Sequence, residues 1–131
     1  MSDKRELVPY TPEHERVREV LIQVASRKGT ISYTELVRRA KLKLDMSIPY
    51  DRGLLGHILG DISWNECVEG RPMLSSVALH AGDSKQGGGF FDLAEEIYDI
   101  DIDTDDKEWV FGMEEMKKTM IFDHIKSNGN G

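Results

Sequence analysis

The densest group of side chains able to bind a cation lies between residues 99 and 108. Six carboxylates fall there: Asp99, Asp101, Asp103, Asp105, Asp106 and Glu108. A calcium loop of the EF-hand type needs a glycine at its sixth position and a bidentate glutamate at its twelfth, and this run supplies neither. The run is therefore interpreted in two other ways. It is either an anionic docking surface for a basic partner, formed by Asp101, Asp103, Asp105 and Asp106, or a solvated loop that caps the next helix.

No catalytic constellation is visible elsewhere in the sequence. The stretch Gly82–Gly89 could cradle a phosphate, but two glycines stand where a P-loop has Lys and Ser/Thr. Ser75 and Ser76 have no base at hand, because His80 lies too far along the same segment. The four histidines show no metal-ligand spacing. We therefore expect a non-enzymatic protein that needs no metal and no cofactor.

Small residues mark one side of the third predicted helix. That side carries Gly53, Gly56, Gly60, Ser63, Trp64 and Cys67. Each glycine lowers helix stability by ~1 kcal/mol, so three on one helix require an explanation. One interpretation is a docking groove for another protein, with Trp64 as its anchor and His57 at its flank. The other is that the last helix packs there through Trp109 and its methionines.

Basic side chains concentrate away from that side. They lie at the end of the second predicted helix, at the start of the third and in the glycine-rich loop, as Arg38, Arg39, Lys41, Lys43, Arg52 and Lys85. One interpretation is a surface that contacts the phosphates of DNA. The alternative is a solvated face whose positive charge also suits the end of a helix.

Hydrophobic periodicity and turn residues predict the elements that carry these groups. Thr11 and Pro12 begin the first helix, Ser32 caps the second and Asp51 caps the third. The predicted helices are 12–28, 33–42, 51–69, 90–98 and 106–126, with a strand over 73–80 and a flexible loop over 82–89. The loop either links the strand to a second strand or leads directly into a helix, and residues 90–98 could also form a strand followed by a helix. The third helix is expected to bury an apolar face formed by Leu54, Leu55, Ile58, Leu59 and Ile62 and centred near Leu54, Ile58 and Ile62. The last is expected to bury Trp109, Met113, Met116 and Met120.

Length and composition indicate one domain. The chain has 131 residues, one cysteine and a formal net charge of −7. The charge is uneven: residues 1–80 are close to neutral, and residues 81–131 hold 5 basic and 13 acidic side chains. No secretory signal or membrane span is visible, so we expect a cytoplasmic protein. We divide it into a flexible start (1–10), a core (11–98), an acidic loop and helix packed on that core (99–126) and a disordered tail (127–131).

Three segments resemble a known family. They are GTISYTELVRRA (29–40), LLGHILGDI (54–62) and RPMLSSVALHAGDSKQGGGFF (71–91), and the positions in common are Gly29, Ile31, Tyr33, Leu36, Gly56, Pro72, Gly88, Gly89 and Phe90. In these positions the chain resembles the winged-helix domain of alkyltransferase-like DNA-repair proteins over residues 12–91. The resemblance implies a winged-helix fold. Alkyl transfer does not follow from it, because Met73 stands where that family has its nucleophilic cysteine.

The sequence therefore predicts an α+β fold. It has a winged-helix-like three-helix core with a small β-hairpin or wing, and a C-terminal helical extension. The leading hypothesis is a non-enzymatic interaction protein of inhibitor, immunity or regulatory type, which binds another protein through helix three, the wing or the acidic surface. The alternative is a winged-helix DNA-binding regulator that uses the basic end of helix two and the wing.

Overall fold

The computed structural model describes residues 5–80, 85–122 and 124. Five helices dominate it: α1 (Pro12–Ser26), α2 (Tyr33–Arg39), α3 (Pro49–Val68), α4 (Gly88–Tyr98) and α5 (Asp105–Ile121). Two short strands, β1 (Ile31–Ser32) and β2 (Ala78–Leu79), pair in parallel. A 3₁₀ helix, Leu74–Val77, precedes β2. The predicted α+β class is confirmed. Within the described residues, no helix is long and apolar enough to span a membrane.

The first two helices begin at their predicted caps. Thr11 accepts a hydrogen bond from the backbone N–H of His14, and the His14 ring accepts one from the backbone N–H of Thr11, which completes a capping box. The Ser32 hydroxyl accepts from the backbone N–H of Glu35. Helix α2 ends at Arg39 rather than near residue 42, because Lys41 adopts a left-handed conformation with φ of 57°.

The start and the buried face of α3 differ from the prediction. The helix begins at Pro49, and Asp51 instead accepts a hydrogen bond from the backbone N–H of Asp45 in the preceding loop. The buried apolar residues are Leu55, Leu59 and Ile62. Leu54 is 37% exposed and Ile58 is half-buried, so the predicted centre of the apolar face was wrong by about one residue.

The predicted strand over residues 73–80 is mostly wrong. Residues 74–77 form the 3₁₀ helix, and β2 has only two residues. Side chains of neighbouring helices hold this segment: Ser63 bonds Ser75 at 2.6 Å between hydroxyls, and Thr119 bonds Ser76 at 2.8 Å. Because β1 offers only Ile31 and Ser32 for pairing, a longer ladder has no partner.

The predicted wing is replaced, in its described part, by the start of a helix. Residues 81–84 lie outside the described residues. A single antiparallel bridge joins His80 to Lys85, and Gly88 and Gly89 form the first turn of α4. The alternative that the loop leads directly into a helix is thus the one observed.

Two apolar clusters form the core. The larger joins α1, α2 and α3 to the 3₁₀ helix and to Met116 of α5. The smaller lies around α4 and contains Met73, Phe90, Phe91, Ala94 and Ile102. The predicted buried face of α5 was half wrong, because Trp109 is 44% and Met113 is 43% exposed. The buried side of α5 carries Gly112, Glu115, Met116 and Thr119 instead.

Candidate functional site

An open groove of about 770 Å³ runs between α3 and the start of α4. The predicted docking residues Gly53, Gly56, His57, Gly60 and Trp64 all line it. The opposite wall is formed by residues 87–89, so glycines border the groove on both sides. We call Gly53, Gly56, Gly60, Gly88 and Gly89 the groove glycines. The structure brings together two glycine-rich segments that the sequence separates by about thirty residues.

Four of the groove glycines face empty space. A Cβ atom added at Gly53, Gly56, Gly88 or Gly89 would meet no atom of the described residues within 4 Å. At Gly60 the nearest atom is Leu93 Cδ2 of α4, at 3.8 Å, which is ordinary contact. The expectation that the last helix packs on this face is therefore wrong. Helix α4 touches one end of it, whereas α5 packs on the 3₁₀ helix and α1.

A smaller recess lies beside the groove between α3 and α4. It holds about 70 Å³ and is bordered by Gly56, Gly60, Gly89 and Leu93. Tyr33 and Ser75 also line this recess, which is more enclosed than the groove. The groove therefore adjoins a space that suits a small side chain better than a large one.

The first turn of α4 presents main-chain N–H groups at the groove. No side chain caps this helix, and its N-cap residue is Gly87. The backbone N–H of Gly87 donates to the Tyr33 hydroxyl at 3.2 Å, and a Cβ at this position would press on that hydroxyl at 2.7 Å. Burial raises the pKa of Tyr33, so the phenol stays neutral at physiological pH. Gly87 is thus required by packing, which distinguishes it from the groove glycines.

Trp64 lines the groove. Its ring is half-buried, and contacts with the N-terminal segment hold it in place. Its indole N–H donates to the backbone oxygen of Glu6 at 2.9 Å, and the Arg5 guanidinium lies 5.1 Å above its ring. The neighbouring Asn65 amide bonds both the N–H and the C=O of Val8. Residues 5–10 therefore lie along α3, whereas the sequence suggested a loose start; residues 1–4 lie outside the described residues.

Arg52 supplies a positive charge at the groove, and the exposed His57 adds an imidazole ring that can form hydrogen bonds. Arg52 donates to the backbone oxygen of Met46 at 2.9 Å, which fixes the side chain at the groove wall. The carboxylates that line the groove are Asp61, held by His14 at 2.9 Å, and the exposed Glu96. The groove thus combines the start of a helix, a fixed guanidinium and two carboxylates, of which Asp61 is bound by His14 and Glu96 is exposed.

Several of the other predicted basic residues are engaged by neighbouring side chains. Arg38 pairs with Glu35, and Arg39 donates to Gln23 at 3.0 Å. Lys85 lies 2.7 Å from Glu108 and 3.8 Å from Asp105, so its charge is neutralised by α5. Lys41 and Lys43 are exposed.

The acidic segment lies outside the groove. Ile102 is buried and its N–H donates to Glu95, which anchors the loop. Asp103 pairs with Lys107 at 2.8 Å, while Asp101 and Asp106 are exposed. Among the described residues, no group of three His, Cys, Asp or Glu side chains is arranged to hold a metal ion.

Cys67 is shielded rather than reactive. Its Sγ lies 3.7 Å from the Tyr98 hydroxyl, which in turn donates to Glu115 at 2.5 Å. Burial raises the pKa of Cys67 to about 11, so the thiol stays protonated at neutral pH. Burial and the bond to Glu115 also raise the pKa of Tyr98. This cluster supports the fold, because Glu115 also accepts from the backbone N–H of Met73.

A second polar cluster, which was not predicted from the sequence, surrounds Glu66. The Glu66 carboxylate is 1% exposed and binds Arg18 at 2.9 Å and Arg71 at 2.8 Å. Its position was a usable signal. Glu66 falls four residues after Ile62 on the apolar side of α3, where a charged residue implies a buried partner.

No protein-family model, curated protein or solved structure matches this chain.

Proposed function

We propose that this chain is a non-enzymatic binding protein that holds an acidic segment of another protein in the groove between α3 and α4. The observation that carries the proposal is the empty space above the groove glycines. Glycine inside a helix lowers stability by ~1 kcal/mol relative to alanine. Packing within the chain does not require glycine at Gly53 or Gly56, since no described atom lies near either. A partner that approaches the backbone closely supplies the missing reason.

The charge of the groove favours an acidic occupant. The first turn of α4, where a helix leaves main-chain N–H groups without intrahelical partners and its dipole is positive, lies at the groove. Arg52 and His57 add side-chain hydrogen-bond donors, which also favour a carboxylate. Asp61 is already held by His14. A carboxylate of the partner therefore finds several donors at this wall, whereas a lysine would find one exposed carboxylate, Glu96.

Apolar surfaces at the groove supply anchoring area. Trp64, Val8 and Leu93 line it together with the ring of Tyr33. Trp64 is held by its bond to Glu6, so binding needs little further ordering of this side chain. The adjoining recess of about 70 Å³ accommodates a small side chain of the partner. These features support a segment that combines acidic and small apolar residues.

Photocrosslinking from the groove tests this proposal. A photoreactive amino acid replaces His57, the chain is expressed in its native host, and crosslinked peptides are sequenced. We expect one protein to be captured through an acidic segment. Gly56→Leu, which fills open space, should lower capture at least tenfold while keeping or raising the melting temperature. The matched control Thr34→Leu, exposed on α2 and away from the groove, should capture as the parent does.

Equal capture by Gly56→Leu would overturn the proposal. Recovery of nucleic acid in place of protein would support the second candidate, a winged-helix DNA-binding regulator. The order of three helices, a short strand and a glycine-rich segment favours that candidate. It predicts a mobility shift with duplex DNA at low salt that disappears as salt is added. Lys41→Glu with Lys43→Glu should then abolish the shift, and Gly56→Leu should leave it intact.

A further inference from the structure

The outer face of α5 carries an apolar strip that nothing in the described residues covers. Trp109, Val110, Met113 and Ile121 are all exposed on it, with Val110 at 58% and Ile121 at 76%. The opposite side of the same helix is occupied by its contacts with the 3₁₀ helix and α1. The strip is thus a second apolar surface, separate in its residues from the groove.

The spacing of this strip matches a helix-pairing seam. Asp106, Val110, Met113 and Lys117 follow one another at intervals of four, three and four residues, which is the spacing of alternating core positions in a coiled coil. All four side chains are exposed. At 1.5 Å per residue the seam is about 16 Å long, and Trp109 borders it. Its centre is apolar and its two ends are charged.

The charges at the ends are opposite in sign. Asp106 lies in the first turn of α5 and Lys117 near its end, and neither has an ion pair with any other residue that the structure describes. Two such helices placed side by side in parallel would bring like charges together at both ends. Placed antiparallel, each Asp106 meets the Lys117 of the other copy, and each Val110 meets the other Met113.

From this self-complementarity we propose that the outer face of α5 binds a second copy of this chain, with the two α5 helices antiparallel about a two-fold axis. A two-fold interface must present the same patch from both copies, and a seam with opposite ends and an apolar centre meets that requirement. Antiparallel packing also opposes the two helix dipoles. The seam is short, so a reversible dimer rather than an obligate one is expected. The proposal does not depend on the groove.

Sedimentation equilibrium on the full chain at 5–500 µM tests the dimer, a concentration range on the order of that expected for so small an interface. We expect a monomer–dimer equilibrium in the parent protein. Asp106→Lys or Lys117→Asp alone should raise the dissociation constant at least tenfold, because each places like charges at both ends of the seam. The double variant Asp106→Lys/Lys117→Asp should return to within threefold of the parent.

A matched control variant and a folding measurement separate loss of the dimer from a general effect of charge or from unfolding. Asp92→Lys changes the charge equally at an exposed position of α4 and should leave the equilibrium unchanged. Circular dichroism at 5 µM should show every variant folded, with melting temperatures lowered by a few degrees at most where a charge reversal opposes the α5 dipole. A parent protein that stays monomeric at 500 µM would overturn the proposal. So would a double variant that fails to restore the dimer, because another mode of association would then be at work.

Discussion

The inner and outer faces of α3 differ in how their residues are packed. On the inner face, Glu66 is fully enclosed and bound by two arginines, and Ser63 is buried and bonded to Ser75. On the outer face, Gly53 and Gly56 have open space where side chains would stand. Buried polar groups on the inner face thus hold the fold together, and the glycines on the outer face leave the helix backbone open to the groove. We infer that the inner face serves stability and the outer face serves binding.

The largest effect should come from breaking the inner face at Glu66. Replacing it by alanine leaves Arg18 and Arg71 without their carboxylate in a largely buried setting. Removing one partner of a buried ion pair costs about 3 kcal/mol or more. Urea denaturation should show a loss of about this size in the free energy of unfolding. Glu114→Ala, which removes an exposed carboxylate of α5, is the control and should change it by less than about 0.5 kcal/mol.

Replacing the two tryptophans, Trp64 of α3 and Trp109 of α5, should change the free energy of unfolding by different amounts. Trp64→Ala removes a half-buried ring and its bond to Glu6, so we expect a loss of about 1–2 kcal/mol, less than for a fully buried ring. Trp109→Ala removes an exposed ring and should change the free energy of unfolding by less than about 0.5 kcal/mol at low micromolar concentration. Limited proteolysis adds a second readout, since residues 5–10 should be cleaved faster only in Trp64→Ala. Equal losses from both variants would contradict this account of the two rings.

Replacing glycine by alanine should change the free energy of unfolding in opposite directions in the groove and on the buried side of α5. Gly56→Ala adds a methyl group in open space and should stabilise the helix by up to ~1 kcal/mol. Gly112→Ala should destabilise by about 1–2 kcal/mol, since its Cβ would press on Gln86, with Cδ at 3.2 Å. Gln86 has little freedom to move, because its amide donates to the backbone oxygen of Ser76 at 2.7 Å. Thermal melts of the two variants measure the contrast, and a destabilising Gly56→Ala would show that the groove is already occupied.

The smallest effect concerns the pH dependence of Cys67. Its pKa is raised from 9.0 to about 11 by burial, so the folded state favours the protonated thiol. The stability that this shift contributes is complete below pH 9 and is lost as the pH rises from 9 to about 11. The rate of alkylation by iodoacetamide should accordingly keep rising up to about pH 11. A rate that levels off near pH 9 would mean that Cys67 is solvated in the folded protein.

Local signals were enough to predict α1, α2, α4 and the glycine side of α3. Capping residues such as Thr11 and Ser32 act within one turn of the helix that they begin, so the sequence alone displays them. The glycines were visible for the same reason. The sequence did not show that these glycines border a groove together with Gly88, because that arrangement depends on how α4 packs against α3.

The errors came from contacts between distant residues. The segment 74–77 was predicted as a strand, but Ser63 and Thr119 hold it through side-chain hydrogen bonds that span 12 and 43 residues. The orientation of α5 was missed because a polar group, Glu115, lies on its buried side and satisfies Tyr98 and Met73. Apolar residues such as Trp109 were then left outside.

Nuclear magnetic resonance of the glycine amides tests the central claim most directly. The captured acidic segment, made as a synthetic peptide, is titrated into the ¹⁵N-labelled chain. If the outer face of α3 serves binding, the largest shifts will fall on the groove glycines, and the buried Gly112 will stay unchanged. Shifts confined to α5 or to residues 99–106, with the groove glycines unmoved, would contradict the account.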